Sequence, residues 1–174
     1  YSQNSIATPI CNNLNFLSFW FYFYDKNRLY IEQERFNEVQ DFFKNEFNAF
    51  VGRKFEKFII SLIKDKKVFS EMDFDSIGNQ WGKCDVGTYE IDCLAVNNNK
   101  KEIMFGECKW KDKINALEIL NKLEAKTKYV DWNNEKRKEI LAIFARSFSK
   151  KVSEFNGRQV YCIDLKDIEK LLKI

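Results

Sequence analysis

The sequence predicts an α/β fold, a mixed sheet flanked by helices, and three patterns carry that prediction. The first is a run of apolar residues at helical spacing: Phe47, Val51, Phe55, Phe58, Ile59, Leu62 and Ile63. The second is a pair of alternating stretches, Y-E-I-D-C-L-A-V at 89–96 and I-M-F-G-E-C-K-W at 103–110, with a short polar turn between them. The third is a charged helix over about 114–130, with Leu117, Leu120, Leu123 and Val130 inward, followed by the buried-strand run E-I-L-A-I-F-A-R from Glu139.

In chain order, residues 1–13 are polar and Asn-rich, hold the single Pro, and read as a loop or as the tail of something missing. Residues 14–24, L-N-F-L-S-F-W-F-Y-F-Y, are aromatic on all sides and predict a buried helix; Phe36, Val39, Phe42 and Phe43 continue at helical spacing. Residues 1–45 thus form an aromatic-rich helical segment. We read it as the remnant of a linker to a domain outside this sequence, which starts at Tyr1 rather than Met. Residues 46–174 form the α/β domain. Within it, 65–82 reads as a loop or edge region, and strands follow at about 83–87, 89–96 and 103–110. After the helix and the buried strand come a short helix, a strand at 159–163 and a final helix from Leu165.

Composition removes whole classes of chemistry. The 174 residues contain no His, which excludes Ser-His-Asp and Cys-His catalysis and any His-ligated metal. Five Cys, at 11, 84, 93, 108 and 162, include no C-x-x-C pair, so a zinc site is not expected. Cys93 and Cys108 fall on strands and read as small buried hydrophobes in a reducing, cytoplasmic setting. The apolar run at 16–24 is too short to span a bilayer and lacks a cationic leader. Net charge is +3, which permits nucleic-acid binding without demanding it. G-N-Q-W-G-K-C at 78–84 is one residue short of a phosphate loop and puts Cys84 where the metal-binding hydroxyl belongs. Asp73-Phe74-Asp75 lacks the Gly and closing Glu of a calcium loop and reads as a solvated acidic turn.

The chemistry concentrates on the two alternating strands. Alternation puts Glu90, Asp92, Leu94 and Val96 on one face, and Ile103, Phe105, Glu107 and Lys109 on one face of the next strand. A turn centred on Asn99-Lys100 pairs Val96 with Ile103, Leu94 with Phe105, Asp92 with Glu107 and Glu90 with Lys109. Opposed carboxylates about 4.5–5.5 Å apart destabilise a sheet. They stay ionised cheaply only beside a cation. Glu56 adds a third carboxylate, on the edge of the apolar helical stripe, with Ile59, Ile60 and Ile63 at +3, +4 and +7. A hard divalent ion on oxygen ligands satisfies such a group. A solvated salt-bridge ladder on an exposed sheet face is the competing explanation.

These residues resemble the PD-(D/E)XK nuclease superfamily: Glu56 matches its acidic helix residue, and Asp92 with Glu107-Cys108-Lys109 matches its Asp…Glu-x-Lys core. Ile91 stands where resolvase-like members have Pro. More closely, the sequence resembles the C-terminal domain of archaeal DEXX-box ATPases, a domain of otherwise unassigned function, through N-F-L-S-F-W-F-Y-F at 15–23, V-G-R-K-F-E-K-F at 51–58, I-G-N-Q-W-G at 77–82, E-I-D at 90–92 and F-G-E-C-K-W at 105–110. The resemblance implies a restriction-endonuclease-like core of order αβββαβ with the N-terminal helical segment appended. It implies Mg2+ or Mn2+ on Asp92, Glu107 and the Cys108 carbonyl, with Glu56 contributing through the helix and Lys109 orienting the attacking water. Glu90 is a secondary site candidate. Lys111 and Lys113, with Trp110, are the expected nucleic-acid contacts; Lys122, Lys126, Lys128, Arg146, Lys150 and Lys151 are further basic candidates. Trp81 and Trp110 are expected in packing more than in base stacking. The implied partners are DNA and an ATPase domain of the same polypeptide. Two functions follow: a metal-dependent DNA phosphodiesterase, or a catalytically inactive module of that shape that binds DNA or regulates the ATPase. A plain protein-interaction domain is the third possibility.

Overall fold

The computed structural model describes residues 15–85 and 87–173. The chain divides between Ala49 and Phe50 into two units.

In the first unit, residues 15–19 are helical. A π-helical turn (Trp20–Tyr24), a 3-10 turn (Asp25–Asn27) and helix α1 (Arg28–Glu32) follow, and then the start of a long helix, α2 (Phe36–Lys64). Phe23 is buried and its ring meets Phe19 and Phe43, each at 4.9 Å. The expectation of a buried helix over this stretch is otherwise overturned: Phe16 and Phe21 are 61% and 59% exposed. An all-round aromatic helix needs packing on every side, and among the described residues of this small unit one aromatic, Phe23, is buried. Cys11 and Leu14 lie outside the described residues.

The second unit is built on a six-stranded sheet in the order β1-β2-β3-β5-β8-β7. Its strands are β1 (Ser76–Cys84), β2 (Gly87–Asn97), β3 (Glu102–Lys109), β5 (Lys138–Ala145), β7 (Glu154–Phe155) and β8 (Arg158–Asp164). β1, β2 and β3 form an antiparallel meander; β3, β5 and β8 run parallel, and β7 returns antiparallel at the edge, so the sheet is mixed. β4 (Ile114–Asn115) pairs in parallel with β6 (Phe148–Lys150) as a separate short ribbon. Two helices complete the unit, α3 (Ala116–Thr127) and α4 (Leu165–Leu172).

Two apolar clusters sandwich the sheet. On one face Phe55, Ile59, Leu62 and Ile63 of α2 and Ile168 of α4 pack on Cys93, Ala95, Met104, Cys108, Ala142 and Phe144. On the other, Ala116, Leu120 and Leu123 of α3 pack on Ile91, Val96, Ile103, Phe105, Leu141 and Ile143. Both faces of β3 and β5 are therefore covered, which explains their near-continuous apolar sequence. The helix ends are set locally. Asn115 Oδ1 accepts from the Leu117 amide at the start of α3, and Asp164 and Asp167 form a reciprocal capping box at the start of α4.

Some sequence expectations need correction here. β1 opens at Ser76, inside the stretch expected to be loop or edge. Its Gly, Asn and Gln residues have poor strand propensity, but an edge strand needs only one partner, and β2 supplies it. The phosphate-loop-like stretch at 78–84 lies wholly on this strand. In place of the expected short helix before β8 stand β6 and β7, three and two residues long, too short to show a period. Along α2, Phe47 and Phe58 are exposed and Phe50 is buried. In α3, Ala116 rather than Leu117 joins the core.

Candidate active site

The site forms where β3 ends. The predicted hairpin register holds for Val96–Ile103 and Leu94–Phe105, and the β2–β3 ladder begins at Cys93–Gly106. Beyond that pair the strands part. The expected pairings of Asp92 with Glu107 and Glu90 with Lys109 are not rungs of the ladder.

A bulge explains the parting. Against β1, Leu94 pairs with Gly78 and Ile91 with Gln80, so β2 spends three steps where β1 spends two. The extra residue falls at Asp92-Cys93 and shifts the alternation. Ile91 packs in the α3-side cluster with Leu94 and Val96, whereas Cys93 and Ala95 pack on the α2 side. The single face expected for Glu90, Asp92, Leu94 and Val96 is therefore interrupted. Bulges end pairing and re-aim side chains, and they concentrate beside active sites. Here the bulge lets Asp92 Oδ2 accept the Cys108 amide at 2.8 Å, a donor the open ladder leaves without its strand partner. Gly106 permits the close approach just before the opening: a Cβ there would meet Cys93 Cβ at 3.0 Å and the Cys93 carbonyl at 3.3 Å.

Charges converge on this opening. Lys109 Nζ donates to Glu107 Oε1 at 2.6 Å and reaches Asp92 Oδ2 at 3.4 Å, tying the two strands together. Lys126, from α3, donates to Glu107 Oε1 and Oε2 at 3.2 and 3.0 Å. The Glu107 side chain is only 8% exposed, and two lysines compensate its burial. Burial pushes the Asp92 carboxyl above the ordinary carboxylate range, and Glu107 adds to this; the Cys108 amide, Lys109 and Lys126 oppose it. Burial also raises Glu56, followed by the charges of Asp92 and Glu90, so the helix carboxyl belongs to the same electrostatic group. Burial alone would lower Lys109, but its hydrogen bond to Glu107 and the charges of Glu107 and Asp92 raise it overall. The Cys93 thiol, buried among apolar side chains, is pushed up to about 12, and Cys108 is also raised well above its ordinary value. Both are inert packing residues, as read from the sequence.

The donor set is oxygen only, and burial raises its Asp92 and Glu56 carboxyls above the ordinary range. That chemistry suits a hard divalent cation. Among the described residues every fully buried polar side-chain atom has a partner, so Asp92 Oδ1, which makes no hydrogen bond, keeps contact with solvent. Among the described residues no group of three or more His, Cys, Asp or Glu is spaced to hold a metal by itself. Asp92 and Glu107 are the residues that would hold one, with water completing the shell. The contact Cys108 makes here is through its amide.

The basic and aromatic candidates separate. Lys111 and Lys113 are exposed just past β3, on a segment fastened by the Ser147 hydroxyl to the Lys113 amide and by Asp112 to Arg146. Trp110 is half-buried, with its ring 5.4 Å from Phe55 and the Arg146 guanidinium 5.1 Å from its centre, so packing holds it. Trp81, expected in packing, is 73% exposed on β1 opposite Glu90. Glu90 is itself exposed. Lys151 is paired with Asp164 and Asp167. Sequence reasoning weighed Lys126 only as a nucleic-acid contact and missed its bond to Glu107. The available signal was its place beside the buried stripe Leu120, Leu123, Thr127 on the helix that follows β3.

Fold and site define an α/β protein with a mixed sheet and a carboxylate–lysine centre at the carboxyl end of an inner strand. The chain belongs to the DUF234 family, described as "Archaea bacterial proteins of unknown function", whose profile matches residues 20–140. It is 35% identical over 102 residues to an uncharacterized protein of Methanocaldococcus jannaschii, MJECL04. The match takes in 56% of this chain and 21% of that relative. No solved structure matches. No helix among the described residues is long and apolar enough to cross a membrane.

Proposed function

We propose that this chain is a metal-dependent phosphodiesterase module of the PD-(D/E)XK kind, acting on DNA. The observation that carries the reading is the convergence of Asp92, Glu107 and Lys109 on the opening after the bulge, with Glu56 in their field. Mg2+ or Mn2+, when bound, lowers the pKa of water and polarises a phosphoryl oxygen. The chain's own residues do the rest. Asp92 and Glu107 bind through oxygen. Lys109, held charged by two carboxylates, orients the attacking water and counters charge growing on the phosphate. Glu56, whose pKa is raised, is suited to accept or hold a proton at the edge of the site. The longer relative is consistent with this chain being one part of a larger polypeptide, with an ATPase module as the proposed partner.

The test is cleavage of linear, branched and single-stranded DNA by purified protein with manganese. Asp92→Ala and Glu107→Ala are expected to abolish it. Failure on all three substrates overturns the reading.

One observation favours a second reading, a non-catalytic module that binds DNA or regulates an ATPase. Glu107 is held by two lysines at once, an arrangement complete without a metal. On that reading wild type and Asp92→Ala bind DNA equally and neither turns over. A manganese-dependent rate eliminates it.

A further inference from the structure

Beside the acidic centre lies a cleft of about 470 Å3. Thr88, Tyr89 and Glu90 of β2 form one wall, and Lys126, Lys128 and Tyr129 at the end of α3 form the other. The walls are fastened together. Tyr89 and Tyr129 stack with ring centres 5.3 Å apart at 26°, and the Tyr89 hydroxyl donates to the Tyr129 carbonyl at 3.1 Å. Arg137, its side chain 6% exposed, donates to the Thr127 and Val130 carbonyls at 3.1 and 2.6 Å, which fixes the end of α3.

The chemistry is graded along the cleft. At its inner end, Lys126 is shared with Glu107. Lys128 holds its ammonium 4.9 Å from the Tyr129 ring centre. Two cations beside a stacked aromatic pair match a phosphate joined to a flat base, and the charge of Glu90 keeps phosphate at the lysine end. The volume falls in the range of small-molecule sites, about 300–1,000 Å3.

We infer that this cleft seats one nucleotide of the bound strand, next to the phosphate that reacts. Its phosphate lies on Lys126 and Lys128 and its base against Tyr129, the half-buried ring of the pair. The position relative to the reacting phosphate rests on the nuclease reading; the binding of a nucleotide does not.

The test is calorimetric titration of the full chain, without metal, with deoxyadenosine monophosphate, deoxyadenosine and inorganic phosphate. The monophosphate is expected to bind about tenfold tighter than either part, because stacking and phosphate contact add. Lys128→Ala, a change on an exposed side chain, is expected to weaken it about fivefold or more. Equal affinity for monophosphate and phosphate overturns the inference, as does an unaffected Lys128→Ala. Nucleotide binding without DNA cleavage removes the nuclease reading and leaves the cleft. Cleavage without nucleotide binding does the reverse.

Discussion

Glu56 sits where its own charge is unwelcome: burial raises its pKa, and Asp92, Glu90 and Glu107 add repulsion that Lys109 only partly offsets. Asp92 is raised by the same two kinds of force. In the unfolded chain both ionise in the ordinary carboxylate range. Between that range and their raised folded values the native state holds more protons than the unfolded one, so stability falls as pH rises through the window. Thermal unfolding of metal-free protein is therefore expected to show Tm decreasing from mildly acidic toward neutral pH. The raised Lys109 acts at the other end, its stabilisation present at neutral pH and lost only in strong alkali. Glu56→Gln removes the repulsion without changing shape. At neutral pH it is expected to stabilise by up to about 1 kcal/mol, ~2–4 °C in Tm, while impairing DNA cleavage. A fall in Tm instead identifies Glu56 as a structural hydrogen-bonding group. Manganese is expected to raise the wild-type Tm more than that of Asp92→Asn, since binding to the native state alone stabilises it.

At the scale of elements, the bulge in β2 and the glycine facing it make the site. Gly106→Ala puts a methyl 3.0 Å from Cys93 Cβ and 3.3 Å from its carbonyl, at the last rung before the strands part. β2 and β3 must separate or shift, at a cost of about 1–3 kcal/mol. Because Asp92 then loses its reach to the Cys108 amide, DNA cleavage is expected to fall by more than the loss of folded protein accounts for. Circular dichroism melts and single-turnover cleavage measure the two effects. This element also marks what the sequence made legible. Alternation located both strands, the turn between them and the partners Val96–Ile103, because each depends on a period of two and a short polar loop. It named Asp92, Glu107 and Lys109 but not their arrangement, since one inserted residue changes every face beyond it without altering composition. β1 and the β4–β6 ribbon were illegible for another reason: G-N-Q-W-G and I-N are strands only because β2 and β6 pair with them. Lys126 joined the site through the tertiary path of α3, which places a residue 19 positions away on Glu107.

For the whole molecule, charge is nearly balanced, with 29 Lys and Arg against 26 Asp and Glu, so no global field draws DNA in. Binding must depend on where the unspent cations are. Several basic residues are spent: Lys151 on Asp164 and Asp167, Arg137 and Arg158 on Glu139, and Arg158 also on Glu124. Lys111 and Lys113 are exposed at the carboxyl end of β3, and Lys126 and Lys128 border the cleft at the end of α3. In open α/β sheets ligands bind outside the carboxyl ends of strands, and the carboxyl end of β3 is such a place. Lys126 is already paired with Glu107, so three lysines, Lys111, Lys113 and Lys128, contacting phosphates give a salt dependence of log affinity with a slope of about −3. Lys111→Ala with Lys113→Ala is expected to flatten it by about 2, whereas Lys150→Ala with Lys151→Ala leaves it nearly unchanged. Fluorescence anisotropy of a labelled duplex across a salt series reads both. The same slope in all three proteins would place the DNA on another surface, and a slope near zero would leave the sheet's open end with no phosphate backbone to hold.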